Sequence, residues 1–292
     1  MSIELKGTGV ALVTPFKTNG DVDFNALERI VNYIIGGKVE YLVMLGTTGE
    51  TATLSAEEKK EVVQCITSAT DKRIPLVLGV GGNNTSALLK HLEELDTTGL
   101  SAILSVSPYY NKPNQDGIMR HYTALAEVSA LPLILYNVPG RTGSNMTAET
   151  TLRLAEHKNI VAIKEASGNL DQCMAILQQK QNSFQVISGD DAYTLPFISC
   201  GMSGVISVVA NAYPLLYSEM VRLCLSGDYE SARPLHYKLL NTIKLMFADG
   251  SPGGVKAYLN LMGLCENTVR LPLAPVSANT YAEIKKDFVR LM

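Results

Sequence analysis

The chain has 292 residues, 46% hydrophobic and 18% charged, which excludes an intrinsically disordered chain and gives enough core to fold without disulfide or metal staples. Its 25 Lys and Arg against 28 Asp and Glu leave a formal charge of −3, without the basic excess of a nucleic-acid binder. The opening Met1-Ser2-Ile3-Glu4-Leu5-Lys6 shows no secretory signal and no apolar run reaches the roughly 18 residues of a membrane span, so a soluble cytoplasmic protein is expected.

Short apolar runs alternate with amphipathic stretches along the chain. The first run, 9–14, is followed by Phe24, Leu27, Ile30, Val31, Ile34 and Ile35 at helical spacing. A second run, 41–46, precedes Ser55-Ala56-Glu57-Glu58, the pattern of a capping box opening the next helix. A run at 75–80 leads to another stripe, Leu88, Leu89, Leu92 and Leu95, and further runs follow at 102–107, 131–137, 160–165, 185–189 and 204–209. These eight runs are rich in Val, Ile and Leu and lack a polar alternate, as strands buried on both faces of a parallel sheet do. Eight βα units in series predict an α/β fold, a closed (β/α)8 TIM barrel; six or fewer would favour an open doubly wound sheet. The helix after the eighth strand is expected near 212–226. Beyond it, Leu235, Leu239, Ile243, Met246 and Phe247 mark a helix that Ser251-Pro252-Gly253-Gly254 breaks. A short helix follows from Val255, and Tyr281, Ile284, Phe288 and Leu291 mark a last one. The expected division is a catalytic barrel over 1–226 and a C-terminal helical appendage over 227–292, packed on it.

The five cysteines (Cys65, Cys173, Cys200, Cys224, Cys265) form no CxxC pair and are odd in number, which suits reduced, mostly buried thiols. His91, His121, His157 and His236 stand far apart in helical-looking segments, with none of the spacings that bind zinc. No metal is expected.

In a barrel the chemistry sits where the strands end, so those ends carry the candidates. Lys164 follows four apolar residues on the sixth strand. Lysines are rarely buried without a purpose, and desolvation favours the neutral amine that attacks a carbonyl carbon. The bland alternative is a lysine paired with Glu165 or another acid. The second strand ends in Gly46-Thr47-Thr48-Gly49-Glu50, either an ordinary turn or a cradle of amides and hydroxyls for a carboxylate. The fifth ends in Tyr136-Asn137-Val138-Pro139-Gly140-Arg141-Thr142-Gly143. Tyr136 there can move protons and Arg141 can fork onto a carboxylate, unless the two are a rim tyrosine and a solvated arginine. The fourth runs into Ser107-Pro108-Tyr109-Tyr110-Asn111-Lys112-Pro113, whose paired tyrosines suit an interface better than a core.

GTTGE, SPYYNKP, YNVPGRTG, IKEASGN, SGDD and GVISVVAN occur in this order at the second, fourth, fifth, sixth, seventh and eighth strands. With them the chain resembles, over essentially its whole length, the dihydrodipicolinate synthase and N-acetylneuraminate lyase family of pyruvate-dependent class I aldolases. The Arg141-Thr142 pair resembles the synthase branch, since the sialic acid lyases lack an arginine there. The resemblance implies condensation of pyruvate with aspartate 4-semialdehyde to 4-hydroxy-tetrahydrodipicolinate, the first committed step toward diaminopimelate and lysine. It implies an imine on Lys164, the pyruvate carboxylate on Thr47 and Thr48, and protons moved by Tyr136 through Thr47 and Tyr110. It further implies the semialdehyde carboxylate on Arg141 and backbone groups of Gly189 and Ile206 near Lys164. Tyr110 is implied to cross a dimer interface into the neighbouring site, two dimers forming a tetramer. The rival readings are an aldolase for a longer 2-keto acid and a non-catalytic keto-acid binder.

Two departures from the family pattern stand out. Ser251-Pro252-Gly253-Gly254 replaces an Asn-Pro-x-Pro pattern, which bears on the shape of the loop after the barrel. In the pocket where lysine inhibits many relatives, Asn83, Tyr109 and the backbone position of Ala52 are kept. Ala56 and Lys59 stand where two histidines are expected, and Ala87 where a glutamate is. Weak or absent inhibition by lysine is the expectation.

Overall fold

The computed structural model describes residues 4–292. Its strands are β1 (Gly7–Ala11), β2 (Tyr41–Met44), β3 (Leu76–Gly79), β4 (Ala102–Val106), β5 (Leu133–Asn137), β6 (Ile160–Glu165), β7 (Gln185–Ser188) and β8 (Gly204–Ser207). Each pairs in parallel with the next and β8 pairs with β1, so the sheet closes into the expected barrel. Every predicted run contains a strand. The first is shifted: β1 begins at Gly7 and ends at Ala11, against a predicted 9–14. Gly7 and Thr8 align with Gly204 and Val205 of β8, while the stretch after Ala11 leaves the sheet. There the Val13 amide donates to Asn211 Oδ1 and the Thr14 hydroxyl to the Gly49 carbonyl.

The helices on the outside are α1 (Phe24–Gly36), α2 (Ala56–Thr70), α3 (Thr85–Glu93), α4 (Gln115–Val128), α5 (Pro139–Thr142), α6 (Ala148–Leu154), α7 (Leu170–Gln179), α8 (Thr194–Ser199) and α9 (Pro214–Leu225). Three more follow: α10 (Tyr229–Phe247), α11 (Gly253–Leu261) and α12 (Ala278–Leu291). Side chains cap many of the starts, among them Asp23, Asn84, Asn114 and Asn169, each accepting an orphan amide of the first turn. The capping box at Ser55 forms in full, with Glu58 returning a bond to the Ser55 amide. Two sequence expectations fail locally. Leu95 lies beyond the end of α3, and His157 sits in the turn after α6, where its Nδ1 accepts the Asn159 amide. The thiols are mostly buried, as expected: Cys173, Cys224 and Cys265 are, and desolvation pushes them up to about 12, 11 and 11, while Cys200, capping α8, is exposed.

Because neighbouring side chains on a strand face opposite ways, the apolar runs feed two cores. Val43, Val77, Leu104, Ile134, Tyr136, Ala162, Ile187 and Ile206 fill the barrel. Leu42, Met44, Leu78, Ile103, Leu135, Ile163, Val186 and Val205 face the helices. Small residues make room for large ones: a Cβ on Gly9 would lie 2.1 Å from the ring of Tyr41, which is fully buried across the register from it. Among the described residues no helix is long and apolar enough to cross a membrane.

The last three helices extend the outer core. Leu239, Ile243 and Met246 of α10, Val255 and Tyr258 of α11 and Ile284 of α12 join the cluster between strands and helices. Asp287 of α12 ties them together, accepting from Asn241, Thr242, Tyr258 and Arg290. The Ser251–Gly254 segment has a definite job: a Cβ on Gly254 would meet the Met246 carbonyl oxygen at 2.3 Å. Only glycine lets α11 start against the end of α10. Gly254→Ala is therefore expected to cost about 1–3 kcal/mol through overpacking. Urea unfolding would measure it, and an unchanged midpoint would refute the contact's importance.

Candidate active site

Residues on the inner face of β5 and β6 meet at the C-terminal mouth of the barrel. Tyr136 aligns with Lys164, and the next pair, Asn137 and Glu165, faces outward. Lys164 is 6% and Tyr136 7% exposed, and Lys164 Nζ stands 4.4 Å from the centroid of the Tyr136 ring. Among the described residues no carboxylate pairs with Lys164. The bland alternative of a Lys164–Glu165 pair is not what forms. Glu165 is fully buried on the other side of the sheet, where its oxygens accept from Asn137 Nδ2 at 3.0 and 3.2 Å, Gln172 Nε2 at 3.0 Å and the Ser167 amide at 2.7 Å. An amine without an ionic partner, in an apolar pocket and beside a phenol, is fit to attack a carbonyl.

Gly189, just past β7, lets this amine reach the mouth. Its amide donates to the Glu165 carbonyl at 2.8 Å, and a Cβ there would come 2.6 Å from Ala166 Cβ and 3.2 Å from Lys164 Cε. Ile206 of β8 is buried in the same inner cluster. Asp191, in the SGDD motif, ties the ends of β7 and β8 together by accepting from the Ser207 hydroxyl and the Val208 and Val209 amides. Its burial pushes the carboxyl pKa above the usual range.

The turn after β2 occupies the opposite wall of the barrel from β6. Thr47, Thr48 and Gly49 form one turn of 3-10 helix, closed by the Gly49 amide on the Gly46 carbonyl and the Glu50 amide on the Thr47 carbonyl. Among the described residues the amides of Thr47 and Thr48 donate to nothing, the state of donors at a helix start. Thr48 is 5% exposed while Thr47 is open. The turn is flanked by two non-glycine residues with left-handed backbone, Leu45 at φ 54° and Glu50 at φ 52°. Such conformations persist only where surrounding structure enforces them.

Arg141 lies on α5, which follows β5, and its side chain is exposed. Lys112 of the neighbouring loop runs alongside: a Cβ on Gly143 would meet Lys112 Cε at 2.7 Å. Two cations thus stand near the mouth. Tyr110 is 88% exposed and turned away from its own chain. It sits in a three-residue turn with φ 73°, closed by the Asn111 amide on the Tyr109 carbonyl, and Asn83 Nδ2 also donates to that carbonyl. Among the described residues no hydrogen bond joins Tyr136, Thr47 and Tyr110 within one chain, and the loop projects Tyr110 outward.

Sequence reading missed one constellation. Lys256 of α11 is fully buried and bonded to Glu50, the last residue of GTTGE. Its signal was the one that singled out Lys164, a lone lysine among apolar neighbours (Val255, Ala257, Tyr258, Leu259).

Comparisons with known proteins show the family. The model of the Dihydrodipicolinate synthetase family matches residues 4–290. The chain is 57% identical over 272 residues to a 4-hydroxy-tetrahydrodipicolinate synthase of Flavobacterium psychrophilum, covering 93% of both chains. It is 52% identical over 285 residues to the enzyme of that name from Parabacteroides distasonis, covering 97% of this chain and 96% of the relative. The crystal structure of the chloride-inhibited dihydrodipicolinate synthase of Acinetobacter baumannii, complexed with pyruvate, superimposes with a TM-score of 0.95 at 38% identity over 98% of each chain. The chain belongs to the dihydrodipicolinate synthetase family.

Proposed function

We propose that this chain condenses pyruvate with aspartate 4-semialdehyde to 4-hydroxy-tetrahydrodipicolinate, the first committed step toward diaminopimelate and lysine, through an imine on Lys164. The observation that carries the mechanism is the buried Lys164 amine facing Tyr136, paired with no carboxylate among the described residues. The amine adds to the ketone carbon of pyruvate, and the carbonyl oxygen leaves as water once Tyr136 has delivered protons to it. The iminium withdraws electrons from the methyl group, which gives up a proton to form an enamine. The enamine carbon forms a bond to the aldehyde carbon of the second substrate, whose oxygen takes up a proton. Attack of the semialdehyde's own amine on the imine carbon closes the ring and releases Lys164.

Thr47 and Thr48 offer two amides and two hydroxyls to the pyruvate carboxylate, and Arg141 offers a planar fork to the semialdehyde carboxylate. The backbone at Gly189 and Ile206 shapes the wall next to Lys164. Neither the proton path nor the binding of substrate invokes a metal or cofactor. The outward Tyr110 on its braced turn supports the reading that a second copy receives it beside its own Tyr136 and Thr47, in a dimer that pairs into a tetramer. A cytoplasmic setting suits this biosynthetic role. The rival of an aldolase for a longer 2-keto acid is disfavoured by Arg141, and a keto-acid sensor would have no use for an isolated amine.

Three outcomes test the proposal. Borohydride added with pyruvate should fix the keto acid to the peptide carrying Lys164, and labelling elsewhere would overturn the imine. Arg141→Ala should weaken use of the semialdehyde roughly ten- to a hundredfold while sparing pyruvate trapping, since bonds to charged groups contribute about 1.5–3 kcal/mol. Equal loss of both would assign Arg141 to the fold or the pyruvate site. Finally, lysine should inhibit weakly or not at all. Of the two nearby acids that could replace the missing glutamate, Glu57 and Glu58, Glu58 is already held by Ser55 and Arg270. Half-inhibition well below millimolar lysine would contradict this.

A further inference from the structure

The strained turn of Thr47–Gly49 is clamped from the far end of the chain. Glu50 Oε1 accepts from Lys256 Nζ at 2.5 Å, both side chains being fully buried, and Glu50 Oε2 accepts from the Arg270 amide at 2.9 Å. Lys256 Nζ also donates to the Thr268 carbonyl at 2.8 Å and stands 4.1 Å from the centroid of the Phe16 ring. The Arg270 guanidinium covers the same ring at 4.4 Å and donates to the Thr53 and Gly20 carbonyls and to Glu58. Both oxygens of Glu50 are therefore fixed by α11 and the segment after it. The Glu50 amide in turn donates to the Thr47 carbonyl, so the position of the carboxylate sets the position of the turn. From the other side the Thr14 hydroxyl donates to the Gly49 carbonyl.

We propose that Glu50 and Lys256 are positioning residues for pyruvate: their buried pair holds the Thr47 and Thr48 amides in place, so that the C-terminal helices set the affinity for the first substrate. This rests on the reading that the turn holds pyruvate's carboxylate. A role confined to welding helix to barrel would change stability and leave the substrate constants alone.

The pair is tested by Lys256→Met and by the neutral double variant Glu50→Gln/Lys256→Met, with KM for each substrate and the thermal midpoint measured side by side. The double variant leaves no buried charge unpaired, so its midpoint should lie near that of the unmodified enzyme. Its KM for pyruvate should still rise roughly ten- to a hundredfold, with KM for the semialdehyde changed by less than about twofold. A folded double variant with unaltered pyruvate KM would overturn the proposal. Should neither variant fold, hydrogen exchange on the unmodified enzyme decides. Saturating pyruvate should slow exchange at residues 46–50 and 256–270 together. Slowing at 46–50 alone would overturn the coupling, whereas no slowing at 46–50 would overturn the carboxylate cradle itself and the inference with it.

Discussion

The site depends on the register between β5 and β6. Leu133 aligns with Ile160, yet Ile134 aligns with Ala162, so β6 carries one extra residue, Val161, at the start of the pair. This bulge sets the parity of everything that follows. With it, Tyr136 aligns with Lys164 facing inward and Asn137 with Glu165 facing outward. Turning β6 over by one residue would bring a carboxylate to the barrel mouth and carry the amine to the helix side. The hydrogen bonds from Asn137, Gln172 and Ser167 to Glu165 lock the choice, since leaving such a buried carboxylate unbonded is costly. The acid next in sequence to Lys164 is thus what keeps Lys164 free of acids.

A second constraint acts across the barrel. Leu45 and Glu50 bracket the turn after β2 in left-handed backbone, a conformation that costs of order 1–3 kcal/mol at each residue. The Glu50–Lys256 pair fixes the residue that ends this turn. Buried ion pairs add little net stability, but removing one partner leaves a stranded charge and typically costs about 3–5 kcal/mol. A pair of this kind specifies geometry more than it adds stability. Gly254, which lets α11 start against Met246, places Lys256 two residues later at the depth where it reaches Glu50. The departure at Ser251–Gly254 is therefore compatible with a tightly seated helix.

Much of this was legible in the sequence. The eight apolar runs gave the barrel because a strand buried on both faces has no polar alternate to hide it. Lys164 stood out because a charge is unexpected in such a run. The parity of Lys164 and Glu165 was not legible, because the same lack of alternation conceals which residues face in, and a bulge leaves no mark in Ile160-Val161-Ala162. Lys256 carried a signal as clear as that of Lys164, but its partner lies 206 positions away and only the fold brings Glu50 to it. The end of β1 was misjudged for a related reason. Leu12 and Val13 are as apolar as the strand, yet past the Leu12 amide, which still donates to the Val43 carbonyl of β2, the Val13 amide bonds to Asn211 instead of the sheet. For Tyr110 the residues themselves say only that paired tyrosines suit an interface better than a core; its left-handed backbone, beside a Tyr109 carbonyl bonded to distant Asn83, is visible only in the fold.

The most direct test of the account is a crystal structure of the enzyme after soaking with pyruvate. Continuous density should join Lys164 Nζ to the second carbon of the keto acid, with the carboxylate on the Thr47 and Thr48 amides and the Tyr136 hydroxyl beside the new bond. Pyruvate bound to another lysine, or bound at Lys164 with its carboxylate turned away from the β2 turn, would contradict it.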